Sequence, residues 1–486
     1  MKKFTILHSN DIHGDFQTEM GEANDHQIGG LSLLSGYINQ VRQQEENVLY
    51  VIAGDMVQGS MIDSEYKGVS TMELMNYLSP DVATLGNHEL DYGLAHLLFL
   101  EKMANFPIVV ANLYIKQYHK RLMQPYHIID IDGFRMMFIG IITEEIMQTL
   151  RMDSDVGTFL TLEEASNEVG RICNVYKDED IDLTVLLTHV GFESDKELAA
   201  MLKPEWGVDL IIGGHSHTYL DEPATINGIL IAQAGTGSNQ IGRFDIAVDD
   251  DTNSIVKWEW QLIPIDNKIA EPDTEFQGFI DSFQEVIDRK YNTLLCRLAQ
   301  TVTHPKREEE TALGNLFADI LAQSAQVDVA LIGSGSIRGE KLGPLVTLGD
   351  LLRIYPYDGA LYKFTITGVQ LATIFSHIMR PENRVAGESQ CQQVSAGVRA
   401  IYNDRKRHLE VLTLRRTPVI DESCYTICLQ EYHYKNAASN IGLTHSELTA
   451  YTHPLVVTTS IHEVLEEYLR HHQNLNSRVE GRLTYQ

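Results

Sequence analysis

The sequence predicts an α/β protein of layered α+β type, on three observations. Several short apolar runs in the first half end at an Asp, Asn or His; two alternating runs follow them; and beyond residue 296 the pattern becomes a mixture of helices and strands. A chain of 486 residues can form two or three domains, each burying its own core.

The runs "VLYVIAGD", "DVATLGNH", "FPIVVANL", "IDLTVLLTHV" and "VDLIIGGHSH" are nearly continuous in apolar residues, the pattern of strands buried on both faces. "GRFDIAVDD" and "VKWEWQLIPI" alternate instead, and are expected to form a second sheet stacked on the first. In "PDTEFQGFIDSFQEVIDRKYNTLL", Phe276, Phe279, Phe283, Ile287 and Tyr291 recur every three or four residues, which predicts a helix with one apolar stripe. The domains are therefore expected at 1–270 and 296–486, with a linker helix over 271–295. In the second domain a helix is expected near Ala312 to Ala325, a strand at "DVALIG" and a helix at "GVQLATIFSHIM".

Composition narrows the partners. With 43 % hydrophobic and 22 % charged residues the chain has the makeup of a globular protein. A formal charge of -29, from 38 basic and 67 acidic residues, repels polyanions at long range. A nucleic-acid polymer or an acidic membrane is thus not expected as partner, whereas a small anion is compatible once a metal or an arginine inverts the local field. Cys173, Cys296, Cys391, Cys424 and Cys428 are odd in number and include no C-x-x-C pair, which suits reduced thiols. The amino terminus "MKKFTILHSNDIHG" has too short an apolar run for an exported leader, so a cytoplasmic protein is expected.

The strand ends carry the chemistry. "LHSNDIH" supplies Asp11 and His13, "VIAGD" Asp55, "TLGNH" Asn87 and His88, "LLTH" His189, and "GGHSH" His215 and His217. In an open α/β sheet the carboxyl ends of the strands converge on one crevice, so these side chains are expected to meet. One loop-end Asp or His is usually a cap or turn residue; a set at the same end of successive buried strands is not. Imidazoles, two carboxylates and an amide oxygen without thiolate suit manganese, zinc, iron, cobalt or nickel. Seven donors are enough for two cations sharing a carboxylate, the arrangement for in-line hydrolysis at phosphorus.

D-x-H, G-D-x-x-x-G, G-N-H-E, a strand-end H and G-H-x-H, in this order, resemble the calcineurin-like metallophosphoesterases. That resemblance implies a four-layer α/β/β/α sandwich and two divalent metals. Asp11, His13, Asp55 and His217 would hold one, and Asp55, Asn87, His189 and His215 the other, with Asp55 as bridge and a metal-bridging hydroxide attacking phosphorus. His88 would stabilise the transition state or protonate the leaving oxygen, oriented by Asp91; Glu89 is read as structural.

"REEETALGNLFAD", "GSGSIRG", "TLGDLLRIYPYDG" and "QVSAG" look like the carboxy-terminal domain of 5'-nucleotidases, so the resemblance extends to the two-domain 5'-nucleotidase and UDP-sugar hydrolase family. It implies a substrate-binding second domain, carried by the linker helix toward the metals. Arg307 and Arg338 match the family's arginines, Tyr357 the first of two rings that sandwich a base, and Tyr432 or Tyr434 the second. Two positions depart from the pattern: Gly333 replaces an asparagine before the I-R segment, and Gly359 one after the P-F-G segment. These departures point to a substrate other than AMP or to relaxed base selectivity. The expected activity is hydrolysis of small nucleotides, foremost 5'-nucleotide monoesters. UDP-sugars and 2',3'-cyclic nucleotides are the alternative substrates, and a non-catalytic nucleotide- or metabolite-binding protein is the alternative from another class.

Overall fold

The computed structural model describes all residues except 21–25, 116–119, 144–157, 160, 250 and 386–390. The chain forms two compact units, Met1–Ile287 and Asp288–Gln486.

In the first unit β1 (Lys2–Ser9), β2 (Val48–Ala53) and β3 (Val82–Thr84) lie side by side and parallel. A second sheet is built from β4 (Tyr126–Ile131), β5 (Phe134–Ile142), β6 (Leu183–His189), β7 (Leu210–Ile212), β8 (Ala224–Ile226) and β9 (Ile229–Ala232), in the spatial order β8-β9-β7-β6-β5-β4. The chain then returns to the first sheet with β10 (Gln240–Asp249), antiparallel to β1, and β11 (Ser254–Pro264), antiparallel to β10.

Successive side chains of a strand face opposite ways, and the core follows that parity. Phe4, Ile6, Val51, Phe138, Val185 and Leu187 share one buried cluster between the two sheets. Residues of the other parity, Met137, Ile139 and Leu186, pack against the helices Leu162–Val175 and Phe192–Met201. The helix Leu31–Gln44 buries Leu33, Leu34, Tyr37, Ile38 and Val41 and lies against β2, completing the α/β/β/α order. The helix Leu162–Val175 starts where a Thr161–Glu164 capping box satisfies backbone donors that the first turn leaves open.

Two expectations are corrected. The alternating strands 240–264 do not make the second sheet; they extend the first, along the free edge of β1. Alternation reports that one face is covered, not which edge a strand joins. "FPIVVANL" is not a full strand either. Val109 N donates to Ala83 O beside β3 (2.9 Å), then Ala111 N donates to Gly140 O in β5 (2.8 Å), so this segment steps from one sheet to the other.

The linker helix runs over Thr274–Tyr291, and the division between the units falls inside it. Within the first unit its Phe276 stacks on Tyr77 at 4.2 Å and its Phe283 meets Tyr66 edge-on at 5.5 Å. Among the described residues no helix is long and apolar enough to cross a membrane.

The second unit centres on a five-stranded sheet in the spatial order Gln392–Val394, Val329–Gly333, Cys424–Gln430, Leu361–Thr367, Leu455–Thr458. Ala330 and Ile332 face the helices Ala312–Ala325 and Ile461–His471, while Val329 and Leu331 face the helix Gly368–Ile378. Thr311 and Thr367 cap the starts of two of these helices through their hydroxyl groups.

Candidate metal centre

The seven residues expected to bind metal lie at or just beyond the carboxyl ends of β1, β2, β3, β6 and β7, and the structure brings them together. Three overlapping groups form, Asp11 with His13 and His217, His13 with Asp55 and His88, and Asp55 with His189 and His215, each with donor atoms within 4.8 Å of one another. His215 Nδ1 is 2.8 Å from Asn87 Oδ1, which places the amide in the same cluster.

Reaching this convergence strains the backbone. Asp11, His13, Asp55, His215 and His217 all have φ between 50° and 81°, a region that side-chain-bearing residues seldom occupy. Such a conformation costs about 1–3 kcal/mol per residue and persists where the surroundings impose it. The paired glycines before His215 answer to space instead. A Cβ on Gly214 would stand 2.6 Å from Ala53 O and 2.9 Å from His189 Nδ1, and one on Gly213 would stand 2.1 Å from Asp195 Oδ2.

The donors fit cations. His189 Nδ1 is 2.8 Å from Ala53 O, and a carbonyl oxygen only accepts, so Nδ1 carries a proton and Nε2 is the nitrogen turned toward the carboxylates. That Nε2 is buried without a hydrogen bond among the described residues, 3.1 Å from Asp55 Oδ2 and 3.8 Å from Asp11 Oδ1. A nitrogen facing two carboxylates calls for positive charge there, a proton on Nε2 when no metal is bound or a cation that takes the proton's place. Burial would lower the pKa of His189, but the nearby charge of Asp55 lifts it to about 9, so in the absence of a cation the ring is held as the imidazolium. Burial opposes ionisation of Asp55, yet His189 holds it down to about 2. His13 Nε2 and His217 Nε2, 3.0 Å apart, converge in the same manner, the second lying 3.4 Å from Asp11 Oδ1.

His88 stands at the side of this cluster, its ring 5.3 Å from that of His13. Its Nδ1 is 2.7 Å from Asp91 Oδ2, and that hydrogen bond, opposed by partial burial, raises its pKa and favours the imidazolium.

Sequence reasoning missed the polar groups behind the donors, except Glu89, whose structural reading holds. Asn10 donates to Asp11 Oδ2 (2.7 Å) and to Gly235 O (2.7 Å), and accepts from Ala234 N (2.8 Å). Asp195, raised to about 7 by burial, accepts from Thr188 Oγ1 (2.6 Å) and Gln233 Nε2 (2.9 Å) under the Gly213 turn. Glu89 is buried and structural: its carboxylate accepts from Gly86 N (2.5 Å), Met56 N (2.7 Å) and Asp55 N (3.1 Å), joining the turns after β2 and β3. Of the groups missed, only Asn10, beside Asp11 in "SNDIH", carried a sequence signal for such a role.

In the second unit a cavity of about 480 Å³ is lined by Arg338, Tyr357, Gln430, Tyr432 and His433, among others. The Arg338 guanidinium lies over the Tyr357 ring at 5.0 Å and hydrogen-bonds its hydroxyl. Tyr432 is 66 % exposed at the cavity. Tyr434 does not line it: its ring packs on Tyr362 (4.6 Å) and His445 (4.8 Å). Arg307 sits in the bend before the helix Ala312–Ala325 and is not part of the cavity wall.

Comparison with known proteins agrees with both halves. Residues 4–219 match the calcineurin-like phosphoesterase family, and residues 291–442 match the 5'-nucleotidase C-terminal domain. The chain is 29 % identical over 413 residues to Endonuclease YhcR of Bacillus subtilis, an alignment covering 79 % of this chain and 34 % of that protein. It therefore spans about a third of the length of that relative. It is 25 % identical over 488 residues to the 5'-nucleotidase of Mus musculus, covering 88 % of this chain and 82 % of that one. Its fold is similar to the crystal structure of a 5'-nucleotidase precursor from Thermus thermophilus, with a TM-score of 0.58 at 21 % identity, covering 100 % and 99 % of the two chains. Calcineurin-like metallophosphoesterases use two divalent metals, and the clustered Asp and His donors suit that pair. The chain thus carries a calcineurin-like phosphoesterase domain followed by a 5'-nucleotidase C-terminal domain.

Proposed function

We propose that the chain is a metal-dependent phosphohydrolase of small nucleotides, and that 5'-nucleotide monoesters are its substrates. The observation that carries this reading is the convergence of the strand-end donors on one another, with His189 Nε2 buried 3.1 Å from Asp55 Oδ2 and 3.8 Å from Asp11 Oδ1. Asp11, His13, Asp55 and His217 would hold one cation and Asp55, Asn87, His189 and His215 the other. Bound there, two divalent cations supply Lewis acidity toward phosphoryl oxygens and a nucleophilic water at neutral pH.

The remaining roles belong to this chain's side chains. Asp91 accepts from His88 Nδ1, which keeps the imidazole in one orientation and favours its charged form. His88 then donates a proton to the leaving oxygen or stabilises the charge gathering there. In the second domain Arg338 would meet the anionic part of the substrate, while Tyr357 and Tyr432 offer faces to a base. Arg307 is assigned to substrate only through its match to the family's arginines.

The test is a substrate panel of AMP, UDP-glucose, 2',3'-cyclic AMP and an aryl phosphate, each with manganese, zinc, cobalt or nickel and after chelation. The expected result is metal-dependent release of phosphate, fastest from the 5'-nucleotide. Faster cleavage of the cyclic or sugar nucleotide would move the assignment to that substrate, and no turnover with any metal would defeat it in favour of a binding protein.

A further inference from the structure

Two polar atoms in the wall of the second-unit cavity are buried and lack any hydrogen-bond partner among the described residues: His433 Nδ1 and Asn440 Nδ2. A buried polar group left unpaired costs about 1–3 kcal/mol. Both atoms lie just behind the cavity surface, and a small turn of the ring and of the amide would present them to a ligand that completes them. His433 is 5 % exposed and Asn440 6 %.

The place of the imidazole accounts for the glycine at 333. A Cβ on residue 333 would stand 2.4 Å from His433 Cε1 and 2.5 Å from its Nε2, so the ring occupies the space that a side chain at 333 would need. Glycine at 333 thus makes room for the imidazole of His433 in the cavity wall.

The surrounding polar groups are already engaged. Gln430 Oε1 accepts from Gly333 N (2.9 Å), and Gln430 Nε2 donates to Ser336 Oγ (3.1 Å) and to Tyr355 Oη. Next to His433, the ring of Tyr432 stands edge-on at 5.4 Å, with its side chain exposed to the cavity. Burial lowers the pKa of His433 to about 4, so the ring is neutral near pH 7. A neutral imidazole carries one donor and one acceptor nitrogen, and which is which can change with the tautomer.

We propose that His433, with Asn440, hydrogen-bonds the polar edge of a nucleobase lying against Tyr432, and that its exchangeable tautomers admit amino-edged and oxo-edged bases alike. The inference rests on the nucleoside-binding role proposed above for this cavity. It assigns base selectivity to a residue outside the matched motifs and makes that selectivity broad.

Calorimetric titration of the full chain with adenosine and inosine, which carry an amino or an oxo group at C6 and an acceptor or a donor at N1, tests it without any hydrolysis. The two nucleosides should bind within about threefold of each other. His433→Leu should weaken both by about tenfold. His433→Gln, which keeps a donor and an acceptor, should stay within about threefold of the parent and serves as the folded reference. Gly333→Asn should weaken both nucleosides, because its side chain and the imidazole cannot share the space. Unchanged affinity in His433→Leu, a strong preference of the parent for one nucleoside, or no binding of either would overturn the inference. Nucleoside binding that responds to these substitutions, in a protein inert toward every phosphate ester, would instead defeat the proposed hydrolase and leave this inference in place.

Discussion

His88 and Asp91 form a pair one helical turn apart, Nδ1 to Oδ2 at 2.7 Å, and the pair faces the donor cluster through the other edge of the imidazole. A carboxylate in that position does two things: it fixes the tautomer and it holds the charge that a proton donor needs. Removing the imidazole with His88→Ala should lower kcat by about 10²–10⁴. Asp91→Asn should have a smaller effect, because the ring remains. Both losses should shrink for an aryl phosphate with an acidic phenol, whose leaving oxygen needs no proton. Equal losses for alkyl and aryl esters would show that His88 does not protonate the leaving group.

Metal removal should cost stability as well as turnover. Asp11 and Asp55 are buried, and without cations their charges are offset by the nearby imidazoles and by hydrogen bonds from Asn10, His215 N and His88 N. A ligand present at a hundred times its dissociation constant stabilises the folded state by about 2.7 kcal/mol. Two cations at that excess should therefore raise the melting temperature of the first unit by roughly 10 °C or more over the chelated protein. All three tryptophans, Trp206, Trp258 and Trp260, belong to that unit, so their fluorescence reads its unfolding selectively. An unchanged midpoint after chelation, with metal loss verified, would contradict a cation pair at this site.

Gly214→Ala tests the crowding under the histidines. The added methyl would stand 2.6 Å from Ala53 O and 3.0 Å from Asp11 Oδ2, in backbone and ligand atoms that have little room to yield. Overpacking of this kind costs about 1–3 kcal/mol. The larger consequence should be on metal content, since the same methyl displaces His189, whose Nδ1 is 2.9 Å away. Metal analysis of the purified variant should give less than two equivalents per chain.

The donors were legible in the sequence because buried parallel strands end at one edge of a sheet, and a ligand type at each end is rare by chance. The two-sheet arrangement was less so: the alternating burial of Gln240–Asp249 is the same whichever edge the strand joins. Asp195 was hidden for a different reason. It lies in the first turn of a helix, where an acidic residue is ordinarily solvated, and only the fold of Gly213 over its carboxylate buries it. Tyr432 and Tyr434 were equivalent on paper. Both fall in the short helix Glu431–Lys435, where residues two apart point to nearly opposite sides, so one faces the cavity and the other the core.

His8 gives the first unit a built-in acid sensitivity. Its ring is fully buried on β1, beside Phe244 of β10 (6.4 Å) and Trp260 of β11 (5.4 Å), with neither nitrogen hydrogen-bonded among the described residues. Burial pushes its pKa down to about 3 from an ordinary value of 6.5. Below pH 6.5 the unfolded chain takes up a proton here that the folded one refuses, so stability falls as pH falls, until the folded pKa is reached. The slope is about 1.4 kcal/mol per pH unit, and between pH 7.5 and 5.5 the loss from this one group should be about 1.4 kcal/mol. His8→Phe removes the titration whatever its own effect on packing. Urea unfolding of the chelated protein, followed by tryptophan fluorescence at both pH values, should show the parent losing about 1.4 kcal/mol more than the variant. Equal losses in the two proteins would mean that the ring finds a proton acceptor on acidification, and that its buried nitrogens are not isolated.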